Sequence, residues 1–312
     1  MTHRGYSESK RHFPESNRNL GGSRLRMPIA NGIFYPDNRE ALIDQLSSWR
    51  LKEGSIHTSF GSQVIIAPHG AWNISGAIAG AVFAAVQAGD PGTDEPAPDK
   101  APLNETQGRG INRVILLGPC HGSGEQGIYL SESDSFQTPL GDLPVDSRLN
   151  RKLTSCSTLI KENDILHLSE HSLEVHLPIV KYCFPDVKII PILVHGNRPA
   201  LISGLAMALK LVIESYMDQS LVVISSTVSQ NGDPALAFSM ADEFRSLLSN
   251  MDAGAFLAGL AEGRVSPCGG PIIAALLESG LLEGKHFSAL TPLSHETEKD
   301  GMTVYYGGFV AV

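Results

Sequence analysis

The chain is 312 residues long and 42% hydrophobic, with 24 Lys and Arg against 33 Asp and Glu, a formal net charge of -9. That length and apolar content suffice to bury one large α/β core or two smaller ones, and they exclude a disordered chain. The acidic balance lacks the basic stripe with which proteins grip a phosphate backbone, so nucleic acid is excluded as an expected partner. Gly, Pro or charged residues interrupt each apolar stretch before the roughly 18 residues a membrane span needs, and the opening MTHRGYSESKRH has no apolar signal-like core. A soluble, cytoplasmic protein that does not engage membranes is expected. The four cysteines, Cys120, Cys156, Cys183 and Cys268, lie far apart with no CxxC pair, which predicts reduced thiols rather than a disulfide framework or a zinc finger.

Residues 1–25 are polar and rich in Ser, Asn and Arg, the composition of a mobile tail, with ordered structure expected from about Met27. Asp37 and Asn38 offer an N-cap for a helix through Trp49, in which Leu42, Ile43, Leu46 and Trp49 recur at helical spacing. Residues 64–67 read as a buried strand, followed by PHGAWNISG and a helix over 75–87 whose GAIAGAVFAAV composition lets it pack closely on a sheet. Residues 90–112, rich in Pro, Gly and acid, are expected to form a flexible insertion within a single domain spanning 26–312. A second buried strand, 114–117, runs into Gly118-Pro119-Cys120-His121. Further buried strands at 187–194 and 221–225 alternate with helices near 170–184, 199–216 and 234–251. This alternation predicts a three-layer α/β/α sandwich around a central sheet, mostly parallel or mixed.

Gly122, Gly124 and Gly127 match the GxGxxG spacing of a dinucleotide fingerprint. That fingerprint must open a helix whose N-terminus receives the pyrophosphate, whereas IYLSESDSFQTPLGDLPVD alternates and turns like β-structure. Nucleotide binding is not expected.

His69 in VIIAPHG and His121 in VILLGPCHG both stand just past the end of a buried strand. Ligands of open α/β sheets collect at the carboxyl ends of strands, so two imidazoles at matching positions point to a metal pair. The third donor has two sources. Cys268 precedes a helix start, where a thiolate is stabilised, although a free cysteine also serves as a small buried apolar residue. In EHSLEVHLP, His171 and Glu174 are three apart and share a helical face, His176 points partly away, and Pro178 is expected to kink the helix. Such a helix can support the metal ligands from behind or merely face solvent.

Taken together and in this order, ANGIFYPDNREALIDQL, VIIAPHGAWNISG, VILLGPCHG, FQTPLGDLPVD, EHSLEVHLPIVKYCFPDVKIIPILV and CGGPIIAALLE resemble the Memo family, also called AmmeMemoRadiSam system protein B. The resemblance covers nearly the whole chain from Met27. Memo proteins are similar to the catalytic subunits of class III extradiol dioxygenases, non-haem iron enzymes with a three-layer α/β fold. The resemblance implies His69, His121 and Cys268 as ligands of one divalent metal, iron ahead of copper or zinc, with His171, Glu174, His176, Cys120 and Tyr306 around the pocket. It also implies a small-molecule or peptide ligand and a radical-SAM pathway partner.

At one place the chain departs from the family. Where an SSDxSH-type motif is usual, it reads SSTVSQ, with Thr227 in place of Asp and Gln230 in place of His. By the resemblance, these are the acid/base positions. Gln cannot accept a proton at accessible pH, and general acid/base work typically contributes about 100- to 10,000-fold. Tyr305, Tyr306 and His171 are candidate substitutes. Three function classes follow: a metalloenzyme of oxygen or redox chemistry, a metal- or peptide-binding protein that has lost catalysis, and a zinc-dependent hydrolase.

Overall fold

Eight short strands form the central sheet, the middle ones rich in Val, Ile and Leu: Val64–Ala67 (β1), Arg113–Pro119 (β2), Gly127–Leu130 (β3), Ile160–Glu162 (β4), Lys188–His195 (β5), Ser220–Ser225 (β6), Phe287–Ala289 (β7) and Phe309–Ala311 (β8). The structure is a computed structural model and describes residues 23–49, 63–87, 110–122, 124–290, 292–298 and 301–312. The tail expected over 1–25 and the insertion expected over 90–112 therefore lie mostly outside the described residues. The sheet order is β7-β8-β1-β6-β2-β5-β3-β4. Its middle, β1-β6-β2-β5, is parallel, while β8 joins β1 and β3 joins β5 in antiparallel fashion. It is a mixed sheet.

Successive residues of the middle strands point to opposite faces, and both faces are dry. Val64, Ile66, Ile115, Leu117, Val222 and Ile224 belong to one apolar cluster, and Ile65, Val114, Leu116, Leu221 and Val223 to another. Burial on both sides is why these strands read as continuous apolar runs instead of alternating ones. Helices Arg39–Ser48 (α1), Ala77–Gln87 (α2) and Leu177–Cys183 (α3) supply the second cluster through Leu42, Leu46, Val82, Phe83, Ile179 and Val180. Helices Pro199–Ala208 (α4), Pro234–Asn250 (α5) and Gly270–Ser279 (α6) cover the other face with Leu205, Phe244 and Ile273. The architecture is the expected α/β sandwich.

Local signals account for the element ends. Asn38 caps α1 by accepting from the Ala41 amide at 2.8 Å, and Asp233 caps α5 by accepting from the Ala235 amide at 2.9 Å. Gly127 opens strand β3, not a helix, so the GxGxxG spacing has no dinucleotide geometry around it.

Several expectations are corrected. The helix expected from about 170 begins later: Glu174–His176 is a 3-10 turn, and α3 follows with Pro178 in its first turn. There the missing amide proton of proline costs nothing, so Pro178 starts a helix instead of kinking one. The helix expected over 199–216 continues through a π-turn, Leu209–Ile213, and a 3-10 stretch to Gln219. An 18-residue window of this 21-residue stretch has a mean hydropathy of 1.5, long and apolar enough to cross a membrane by length and composition alone. Its apolar character has a use inside the fold, since Leu201, Leu205, Leu209 and Ile213 are buried against the sheet. Strands β7 and β8 were not foreseen, nor were Ser294–Thr297 and Thr303–Tyr306, which pair with each other beside Ser229–Asn231.

Ordered contacts also start before Met27. Leu25 and Arg26 pair with Ser135 and Phe136, and the buried Arg26 forms an ion pair with the buried Glu174. Glu174 also accepts from the amides of Ile29 (2.9 Å) and Ala30 (2.7 Å) and from the Tyr35 hydroxyl (2.9 Å). The Arg26 guanidinium further donates to the carbonyls of His167 and Glu170. Removing one partner of such a pair typically costs about 3–5 kcal/mol.

His167 lies in this network, with Nε2 donating to the Tyr129 carbonyl at 3.1 Å. Burial, opposed by that hydrogen bond and aided by the Arg26 charge, pushes its imidazole down to about 4. The fold thus holds His167 neutral, while the unfolded chain takes up a proton near pH 6.5. Its stability contribution is complete above the unfolded value and is lost as pH falls from about 6.5 towards about 4, on the order of 3 kcal/mol in all. Urea unfolding across this window should show stability falling with pH, with a shallower slope in His167→Gln. An identical slope would remove His167 from the acid response; the slope does not vanish, because burial also pushes His176 down to about 3.

Candidate metal centre

Three neighbouring parallel strands end at the same level, with Ala67 of β1 paired to Ser225 of β6, and Leu117 of β2 paired to Ile224. His69 lies two residues beyond β1 and His121 two beyond β2, so the two imidazoles approach each other over the end of β6 from either side. Their ring centroids are 5.2 Å apart. His171 completes a triangle at 5.7 Å from His69 and 5.4 Å from His121. One ligand atom of each of the three histidines lies within 4.8 Å of the others, a group able to hold one divalent metal.

The outer nitrogens of the two strand-end histidines are engaged. His69 Nδ1 is 2.7 Å from Ser225 Oγ, and His121 Nδ1 is 3.1 Å from Glu170 Oε1. Each Nε2 therefore remains for the centre of the triangle. Glu170 also accepts from the amides of His121 (2.5 Å), His171 (2.9 Å) and Ser172 (2.8 Å), so one carboxylate ties the β2 loop to the 170–173 turn. Gly118 makes that junction close. A Cβ there would sit 2.6 Å from Leu173 Cδ2 and 2.9 Å from Ser172 Oγ.

Cys268 reaches the same point from the turn before α6, with Sγ 3.5 Å from His69 Nε2. Thr227 donates to that sulfur twice, from its amide (3.0 Å) and its hydroxyl (3.1 Å). The close approach needs a glycine next door, because a Cβ on Gly269 would lie 2.7 Å from Ser226 Cβ. Burial disfavours the Cys268 thiolate, but the charge of His69 and hydrogen bonds from His121, His69 and Thr227 outweigh it and hold the thiol well below its ordinary range. In turn, burial opposes charge on His121, yet Cys268 and Glu170 push its imidazole up to about 10. Burial likewise works against the Glu170 carboxylate, and His121 with the backbone amides pulls it down to about 2. Burial and then the neighbouring imidazoles push His171 down to about 4. The donor set suits a metal: a thiolate and imidazoles are already charge-paired, and a cation would displace the protons that pair them.

His69 is buried, but the His121 side chain is 42% exposed, so the group opens outward. It opens into a pocket of about 460 Å³ lined by Cys120, His121, Gln126, His195, Gln230 and Cys268, among others. His195 donates from Nδ1 to the Cys120 carbonyl at 3.0 Å.

The remaining sequence candidates divide between the site and its surroundings. Glu174 does not share a face with His171; it turns away to Arg26 and Tyr35, because the segment is a turn rather than a helix. His176 lies behind the site with Nε2 3.0 Å from Ser225 Oγ. Thr227 is bound to the sulfur, while Gln230 lines the pocket. Tyr306 donates to Glu296 at 2.9 Å, and burial and that carboxylate raise its hydroxyl far above the useful range. Tyr305 stacks on His295. Tyr306 is therefore not a base here, and His171 stays among the substitutes named from the sequence. Glu170 and Ser225 were missed. Glu170 opens the quoted EHSLEVHLP motif, but helical spacing drew attention to Glu174, and Ser225 reads simply as the last residue of a strand.

Comparison with known proteins identifies the family. The family described as Memo-like protein matches residues 26–306. A MEMO1 family protein of Thermotoga maritima is 26% identical over 298 residues, covering 92% of this chain and 98% of its own. One from Metallosphaera sedula is 27% identical over 292 residues (89% and 96%), and one from Saccharolobus solfataricus is 34% identical over 193 residues (60% and 66%). The chain belongs to the Memo family.

Proposed function

We propose that this protein binds one divalent metal through His69, His121 and Cys268, with His171 beside it, and presents it to a small polar ligand for redox or oxygen chemistry of the extradiol dioxygenase kind. The observation that carries the reading is the engagement of both outer nitrogens, which leaves His69 Nε2 and His121 Nε2 turned towards the Cys268 sulfur. Imidazole with thiolate suits iron, copper or zinc, and we assign iron first. Such a metal, when bound, supplies Lewis acidity and, for iron or copper, one-electron chemistry.

The chain's own residues do the rest. Glu170 orients His121 and keeps its Nδ1 occupied, the usual task of a carboxylate behind a ligand imidazole. Thr227 steadies the sulfur with two donors. Gln126, Gln230 and His195 offer hydrogen bonds to a ligand in the pocket. His171 is held neutral, so it can give or take a hydrogen bond beside the site but is a weak proton acceptor. A second reading, a metal-binding protein without turnover, is favoured by Gln230, which faces the pocket and cannot move a proton.

His121→Ala should remove most of the bound metal, and Glu170→Gln should weaken binding about 10- to 100-fold, both read by metal analysis after anaerobic loading and dialysis. Unchanged metal content in His121→Ala would make that histidine structural.

Protein loaded with Fe(II) should bind metal yet show little ring cleavage of catechols, measured as oxygen uptake. Gln230→His is expected to raise that rate. Adding Thr227→Asp should weaken metal binding, since it exchanges a hydroxyl donor for a carboxylate beside the thiolate. Robust cleavage by the unmodified protein would sink the idea that Gln230 limits turnover, and a pH-rate profile of His171→Asn would then locate the base.

A further inference from the structure

We propose that Ser225 decides which nitrogen of His69 faces the centre, and that His176 is retained to hold Ser225 in that role. The inference rests on the metal reading for its consequence, but its geometry stands on three hydrogen bonds to a single buried atom. Ser225 Oγ lies 2.7 Å from the Ser172 carbonyl oxygen, 2.7 Å from His69 Nδ1 and 3.0 Å from His176 Nε2. A hydroxyl has one proton and two lone pairs. A carbonyl can only accept, so the proton goes to Ser172. Pointing it at His69 instead would leave two oxygens facing each other at 2.7 Å with no proton between them.

Both lone pairs of Ser225 must then receive protons from the imidazoles. His69 therefore carries a proton on Nδ1 whatever its charge, so Nε2, the nitrogen 3.5 Å from Cys268 Sγ, is the one that gives up a proton and offers its lone pair when a metal takes the place of that contact. A free histidine side chain favours the proton on Nε2; here the Nδ1 proton is imposed by saturation of the serine oxygen. His176 gives up its single proton at Nε2, and its Nδ1 is left buried with no hydrogen-bond partner among the described residues. A buried polar atom without a partner is costly. An apolar ring would fill the same volume without that cost, so the gain that keeps a histidine here lies at Nε2, on Ser225.

Ser172 closes the circuit, since its hydroxyl donates to the Pro119 carbonyl at 2.7 Å, two residues before His121. The backbone that carries His121 and the hydroxyl that sets His69 are thus linked through one residue. Ser225 and His176 are positioning residues, acting on the metal only through His69.

The test reads protons directly. In the metal-free full chain, labelled with 15N-histidine and held at alkaline pH, long-range proton-nitrogen correlation should find His69 protonated at Nδ1 and His176 at Nε2. His69 protonated at Nε2 and not at Nδ1 in the wild type overturns the proposal, and this decision requires no variant to fold. Zinc titration then measures the consequence. Ser225→Ala should show both His69 tautomers and about 10- to 100-fold weaker zinc binding, Ser225→Thr should restore a single tautomer, and His176→Phe should mix the tautomers with a smaller loss. Wild-type tautomer and affinity in Ser225→Ala would overturn the role of Ser225, and the same result in His176→Phe that of His176. Failure of the wild type to bind zinc, with His69 protonated at Nδ1, would instead remove the metal reading and leave the tautomer assignment standing.

Discussion

The buried ion pair between Glu174 and Arg26 supports a turn that cannot hold itself. Residues 168–173 lack the repeating hydrogen bonds of a helix or strand, yet they carry Glu170, His171 and Ser172, all of which reach the site. Glu174 fastens the far end of that turn to 26–35 through a guanidinium, two amides and a phenol, and Arg26 caps the turn from below through the carbonyls of His167 and Glu170. Phe34, carried on the same anchored segment, lies against His171 with ring centroids 4.4 Å apart. Irregular backbone bearing functional groups is rigid only when its surroundings over-determine it. Here one buried carboxylate does so on each side, Glu174 towards the core and Glu170 towards His121.

The parallel centre of the sheet explains why two histidines far apart in sequence can share a task. β1 and β2 are not neighbours but flank β6, which puts their ends roughly 10 Å apart. Imidazoles reaching inward over β6 bridge that gap, and the end of β6 supplies what both need: Ser225 beneath His69, and Thr227 against the sulfur that faces it. The site is therefore a property of three strand ends in one order. A loop or helix presenting the same side chains would lack the common floor.

How far this was legible in the sequence follows from the range of each signal. His69 and His121 were legible because each follows an unbroken apolar run, and the carboxyl end of a buried strand is a local feature. The sandwich was legible for the same reason. Cys268 was ambiguous, since its neighbours say only that a helix starts there, and family resemblance rather than spacing selected it. The 170–176 segment misled because helical periodicity was assumed where Glu170 and Ser172 spend their hydrogen bonds on nearby backbone, competing with the helix. β7 and β8 were illegible because they are three residues long and exist by pairing with β1 and each other, more than two hundred residues from their partner in the first case.

The departures at Thr227 and Gln230 acquire different meanings once they are placed. Both interrupt one motif, so the sequence suggests a single lost acid/base pair. In the fold they separate: Thr227 is turned to the sulfur and Gln230 to the pocket. A threonine hydroxyl and amide on the thiolate withdraw electron density from a ligand that the neighbouring imidazoles already stabilise, which favours a site that keeps its sulfur ionised. The glutamine keeps the pocket wall polar while removing a titratable group. The half of the centre around His69 and Cys268 thus keeps its sulfur and imidazole donors and the groups that support them, whereas the pocket wall at Gln230 offers hydrogen bonds but no titratable group.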